Sequence, residues 1–149
     1  MDQIDRALLR AAQVNGRGSY AEFGKDVGLS VSAVNNRLRQ LESNGMIKGW
    51  SAVLDPKKVE FGLLAFIFVQ IDLPSNTAPF LASIQKVDEI QECHHVTGDW
   101  SYLLKVRARD TDHLESIITD KLKSLKGVVR SHSMIALSSV KETLYLPTE

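Results

Sequence analysis

Apolar residues recur at Ile4, Leu8, Leu9 and Ala12 behind Asp2, a helical spacing with a capping side chain at its start, and Gly16-Arg17-Gly18 closes the segment. Ser19 then opens a second helix with Glu22 three residues on. In this capping box each side chain satisfies a free backbone N–H of the first turn. Phe23 and Val27 mark its apolar face, Gly28 supplies a permissive backbone for a sharp turn, and Ser30 caps a third helix anchored by Val34, Leu38 and Leu41. Asn44-Gly45 ends that helix, and Met46 to Leu54 predicts two short strands around Gly49. Two short helices about a glycine turn, followed by a hairpin, are the outline of a winged helix-turn-helix, so double-stranded DNA is the first partner to consider.

The pattern changes after Asp55-Pro56-Lys57-Lys58. Residues 55–62 read as a linker between a DNA-binding domain over 1–54 and a second domain over 63–149. In that second part Leu63 to Leu73 reads as a strand, and Phe80, Leu81, Ile84 and Val87 as a helix after the Pro74 to Pro79 loop. Ile90 to Thr97 and Tyr102 to Arg109 read as strands around Gly98-Asp99, a hairpin signal. Asp110 or Thr111 caps a helix carrying Leu114, Ile117, Ile118, Leu122 and Leu125, Gly127 ends it, and Val128 to Val140 is a last strand. The order β-α-β-β-α-β is the ferredoxin-like arrangement, so the class is α+β. Two helices cover one face of such a sheet. Phe66, Phe68 and their alternates leave the other apolar enough to call for a second copy, and a homodimer is expected.

Composition bounds this picture. The 149 residues are 44% apolar and 24% charged, as in a soluble globular protein, and no apolar run approaches the roughly 18 residues of a membrane span. The start lacks the basic and apolar regions of a leader, and the single Cys93 excludes an intrachain disulfide and a CxxC metal knuckle. A cytoplasmic, nucleoid-associated protein with no membrane partner is expected. Formal net charge is zero, yet residues 1–60 carry nine basic against seven acidic side chains, a net of +2. One weakly positive copy holds few phosphates, so DNA binding calls for two or more copies acting together.

The third helix supplies the chemistry. A helix in the major groove reads base edges with side chains near its start and along its outward face, and Ser32, Asn35, Asn36 and Arg39 occupy those positions. Asparagine pairs with adenine in two bonds and arginine with guanine, while Ser32 serves either base or phosphate. Arg37 is a phosphate ligand or the partner of an acid. Lys25 near the turn and Lys48 in the wing are phosphate candidates, and Trp50 is a hydrophobic anchor.

These motifs resemble the Lrp/AsnC, or feast/famine, transcriptional regulators. Asp2 to Leu9, Leu29-Ser30 with Arg37 and Leu41-Glu42, Gly45-Met46-Ile47-Lys48-Gly49-Trp50 and Glu89 to Lys105 carry the likeness, which covers the whole chain. The last stretch is most like the leucine-responsive branch. The resemblance implies a C-terminal RAM-type domain that dimerises, often builds tetramers or octamers, and holds a small amino-acid effector between dimers, with no other cofactor. It also implies an effector loop at Thr97, Gly98, Asp99, Trp100, Ser101 and Tyr102, lying against Ser131, Ser133 and Met134 of a neighbouring protomer. Read as residues alone, the same Gly-Asp turn is an ordinary hairpin loop. The chain departs from the family pattern at Val31 and Ala33, where many members have proline. It departs again at Ser101, where many have an aspartate tied to leucine response, so a changed effector range is expected.

Enzymatic readings find no support in the sequence. His94 and His95 are neighbours on one strand and point to opposite faces, which is wrong for joint metal ligation, and no nucleophile or phosphate-loop signature occurs. A nonspecific DNA-organising protein and an amino-acid sensor that binds no DNA remain as alternatives to a sequence-specific, effector-responsive regulator.

Overall fold

The computed structural model describes residues 1–148, which fall into two compact units. The first takes in residues 1–53 together with 141–148, and the second Leu54–Val140. The C-terminal residues therefore group with the N-terminal helices, where the sequence pattern assigned them to the second domain.

In the first unit α1 (Gln3–Val14), α2 (Tyr20–Val27) and α3 (Val31–Ser43) surround a core of Leu8, Phe23, Val34, Leu38 and Leu41. All three helices start as the sequence indicates. Asp2 and Asp5 form a reciprocal capping box on α1, Ser19 and Glu22 another on α2, and the Ser30 hydroxyl accepts from the Ala33 N–H on α3. Gly28 closes α2 at φ 70°, the left-handed conformation its lack of a Cβ permits. The expected wing is absent: no strand forms over residues 46–54. The N–H groups of Met46 and Ile47 both donate to the Leu41 carbonyl, and the Trp50 indole N–H donates to Glu42 at 2.7 Å. This segment folds back onto α3 instead of onto itself, which suits an isolated hairpin's marginal stability.

The second unit is a four-stranded antiparallel sheet in the order β2-β3-β1-β4, built from β1 (Leu63–Ile71), β2 (Ile90–His95), β3 (Tyr102–Ala108) and β4 (Val128–Ile135). α4 (Thr77–Ile84) follows β1 through a 3₁₀ turn, and α5 (Thr111–Ser116) follows β3. Ala65, Ile67, Val69 and Ile71 alternate onto the core face, where they meet Leu104 and Val106 of β3 and Phe80, Ile84, Leu114, Ile117 and Leu122 of the helical layer. The long helix expected after Asp110 keeps α-form only to Ser116. Residues Ile117–Leu122 are π-helical, with the Lys123 N–H reaching back to the Ile118 carbonyl at 2.8 Å. Residues five apart on an α-helix lie roughly 140° apart around its axis. The wider π turn brings Ile117 and Leu122, both fully buried, onto one side.

Candidate nucleic-acid interface and ligand site

On α3 the apolar positions Val34, Leu38 and Leu41 are buried, while Ser32, Asn36 and Arg39 are exposed and Asn35 half-buried. The helix thus shows a polar face beginning in its first turn, where a reading helix meets bases. Ser32 shares a 3.1 Å hydrogen bond with Ser30, so it belongs partly to the cap. Lys25 and Lys48 are both exposed.

Arg37 has another task. Its Nη1 lies 2.7 Å from Asp2 Oδ2 and 2.7 Å from Asp5 Oδ1, bridging α3 to both members of the α1 capping box. These bonds raise its pKa above the ordinary arginine value. The guanidinium joins α3 to the start of α1, so of the two partners the sequence left open to it, an acid or a phosphate, the structure shows the acid. Sequence reasoning missed Asp2 and Asp5 as its partners, though two acids three apart at a helix start mark such a cluster.

Asp2 is held below the ordinary aspartate value of 3.8, first by the Asp5 backbone N–H and then by the Arg37 side chain. A depressed folded pKa contributes stability that is full above the unfolded value and is lost as pH falls through the folded one. The N-terminal unit is therefore expected to hold its melting temperature above about pH 4 and lose part of it toward about pH 3. Asp2→Asn, which caps a helix about as well without the charge, should shrink that acid loss in melts across pH. An unchanged acid slope would remove Asp2 from the account.

In the second unit the loop candidates separate. Thr97, Gly98 and Asp99 are exposed at the hairpin tip, with Gly98 at φ 101°. Trp100 lies over the sheet face opposite the helices, its ring 5.8 Å from Phe68 and 6.2 Å from His132, with the Arg130 guanidinium 4.3 Å above it. Ser101 is bound to the backbone instead. Its hydroxyl accepts the Ile71 N–H at 3.0 Å and its own N–H donates to the Val69 carbonyl, which spans the register shift of β1 at Gln70/Ile71. Tyr102 is buried between Phe80 and His95, at 5.3 and 5.1 Å, because strand alternation turns it to the core side. The same alternation divides β4. Met134, paired with Phe66, shares the open face with Trp100, while Ser131 and Ser133, paired with Val69 and Ile67, lie on the helical side. His94 meets Glu92 at 3.0 Å whereas His95 stacks on Tyr102, so the two imidazoles part as their spacing implies.

Residues 1–42 match the profile of the AsnC-type helix-turn-helix domain, and residues 64–146 that of the Lrp/AsnC ligand binding domain. The chain belongs to the Lrp/AsnC family. It is 37% identical over 145 residues to the leucine-responsive regulatory proteins of Escherichia coli K12 and Salmonella typhimurium, covering 96% of this chain and 88% of each relative. Its structure resembles that of a Neisseria meningitidis transcriptional regulator in complex with L-methionine, with a TM-score of 0.94 at 35% identity, covering 99% of this chain and 96% of that one. A Mycobacterium tuberculosis feast or famine regulatory protein complexed with L-methionine gives 0.90 at 34% identity over 97% of each chain. Escherichia coli AsnC gives 0.89 at 26% identity over 97% of each. Membership in the Lrp/AsnC family makes this chain a DNA-binding transcriptional regulator with a ligand-binding domain, not an enzyme. Among the described residues no helix is long and apolar enough to cross a membrane.

Proposed function

We propose that this Lrp/AsnC regulator acts in the cytoplasm as a homo-oligomer that reads its operator with α3 from paired copies, and that a small amino acid bound at the Trp100 loop adjusts its assembly or DNA affinity. The observation that carries the DNA half is the exposed polar face of α3, with Ser32, Asn36 and Arg39 opposite buried Val34, Leu38 and Leu41. Asn35 supplements that face, and Lys25 and Lys48 add bonds to phosphate. A single copy is nearly neutral, so pairing supplies the missing charge. The open sheet face, with Phe66, Phe68, Leu103 and Met134 only partly covered or exposed, supports pairing through a second copy.

For the effector, an amino acid requires an acceptor for its ammonium group, donors for its carboxylate and an apolar wall. The exposed Asp99 carboxylate, the Thr97 hydroxyl, the Gly98 amide and the Trp100 ring supply these at one hairpin. Met134 of a neighbouring protomer extends the wall. L-Methionine is the first ligand to try, since two related proteins hold it. Ser101 and Tyr102 shape the loop from behind, and Ser131 and Ser133 enter only from an adjoining copy.

Thermal-shift screening of the amino acids, with L-methionine first, should raise the melting temperature for at least one, because a ligand of the folded state stabilises it. Sizing with and without that ligand, and repetition with Asp99→Ala, then separates assembly from binding. If no amino acid alters melting, size or DNA affinity, the effector reading fails.

A further inference from the structure

α1 carries a second surface that neither DNA reading nor its own core uses. Leu8 and Ala12 are buried, whereas Arg6, Arg10 and Gln13 recur three and four residues apart along the same helix, and all three touch the C-terminal segment. Gln13 contributes both ends of its amide. Its Nε2 donates to the Leu146 carbonyl at 3.0 Å and its Oε1 accepts the Leu146 N–H at 2.7 Å. This is how a neighbouring strand would pair, and it fixes one residue of the segment in register. One turn back Arg10 Nη1 donates to the Thr148 carbonyl at 3.4 Å, and the Thr148 hydroxyl donates to the Arg6 carbonyl at 3.3 Å. Leu144 and Leu146 stay mostly exposed, so hydrogen bonds to the backbone, not leucine burial, hold the segment.

We infer that this stripe of α1 is a docking surface for the chain's own residues 143–148, and that it gives the DNA-binding unit a second tether. The chain leaves that unit at Val53–Leu54 and returns to it at Val140–Lys141. A unit held at one junction turns about a single linker, whereas one held at both loses much of that freedom. Two reading helices on one operator must adopt a fixed spacing, and the ordering cost is smaller when the tether has already met part of it. The tail thereby supports DNA binding without touching DNA.

Hydrogen exchange on the full-length protein, on Gln13→Ala and on a chain ending at Val140 tests the docking. In the full-length protein the 143–148 amides should exchange more slowly than a synthetic peptide of the same sequence. Gln13→Ala should release them, and the shortened chain should exchange faster in α1 while α2 and α3 stay as they were. Residues 143–148 exchanging like the free peptide in the full-length protein, or unaffected by Gln13→Ala, would overturn the docking surface. Both variants should also bind an operator with two half-sites about 3- to 10-fold more weakly, with base preference intact. Unchanged affinity in a protein whose tail is shown to be released would overturn the tether.

Discussion

Replacing Asn36 or Arg39 by alanine is expected to weaken operator binding about 5- to 150-fold while leaving affinity for random DNA nearly unchanged, because each two-bonded base pairing carries roughly 1–3 kcal/mol of discrimination. Both side chains are exposed on the face of α3 that its buried residues leave free. Neither removal opens a cavity, so melting should move little and the loss should lie in recognition. The comparison with Lys48→Ala sharpens this. On the phosphate role proposed for Lys48, its removal should weaken all sequences alike and lower the salt slope by about one. Arg37→Ala should behave differently from both. Without its guanidinium, Asp2 and Asp5 repel at the start of α1, and the first unit loses stability along with DNA binding of every sequence. Competition assays at fixed salt, with operator and scrambled duplex, read these outcomes directly. If Asn36→Ala and Arg39→Ala each keep the full ratio between the two duplexes, α3 does not read the bases.

That contrast within one helix shows how far the sequence carries the argument. Caps, turns and apolar spacing are local, and Asp2, Ser19, Ser30 and Gly28 all act where the pattern puts them. The order of the elements followed from their spacing and turn residues, and the parting of His94 from His95 followed from alternation. What the pattern could not supply was the partner of a side chain reaching across the fold. Arg37 lies 35 residues from Asp2, and no periodicity relates them. Ser101 spans a register shift that exists only once β1 and β4 have paired. Gln13 meets a backbone 133 residues away, a contact that chain order does not foretell. The hairpin over 46–54 failed for a related reason. Its residues suit strands, but Leu41 and Glu42 offer the same groups a nearer set of bonds.

Gly24, which looks like a routine residue of α2, is expected to be the least replaceable glycine of the DNA-binding unit. A Cβ there would stand 2.4 Å from the Leu29 carbonyl oxygen and 3.6 Å from Val34 Cγ2. The obstacle is backbone, and the Leu29 N–H is itself bonded to the Gly24 carbonyl at 2.9 Å, so the turn cannot move without losing a bond. Forcing a methyl into so close an approach costs about 1–3 kcal/mol, against which alanine regains about 0.5–1 kcal/mol of helix preference. Gly24→Ala should therefore destabilise the unit by about 1–2 kcal/mol, and Gly24→Val by more, because its branches meet the same wall. For a domain of this size each kcal/mol lowers melting by about 4–8 °C. Gly28 provides the control. A Cβ at that position meets nothing within 4 Å, and only its φ of +70° resists substitution. Asparagine tolerates that conformation, so Gly28→Asn should be mild while Gly24→Asn should not. Because the strain opens the angle between α2 and α3, Gly24→Ala should also weaken DNA binding without altering any residue that reaches DNA. Ligand-induced shifts in the C-terminal domain should persist. A Gly24→Ala protein that melts with wild type and holds its operator as tightly would mean that the α2–α3 turn has room the close approach denies.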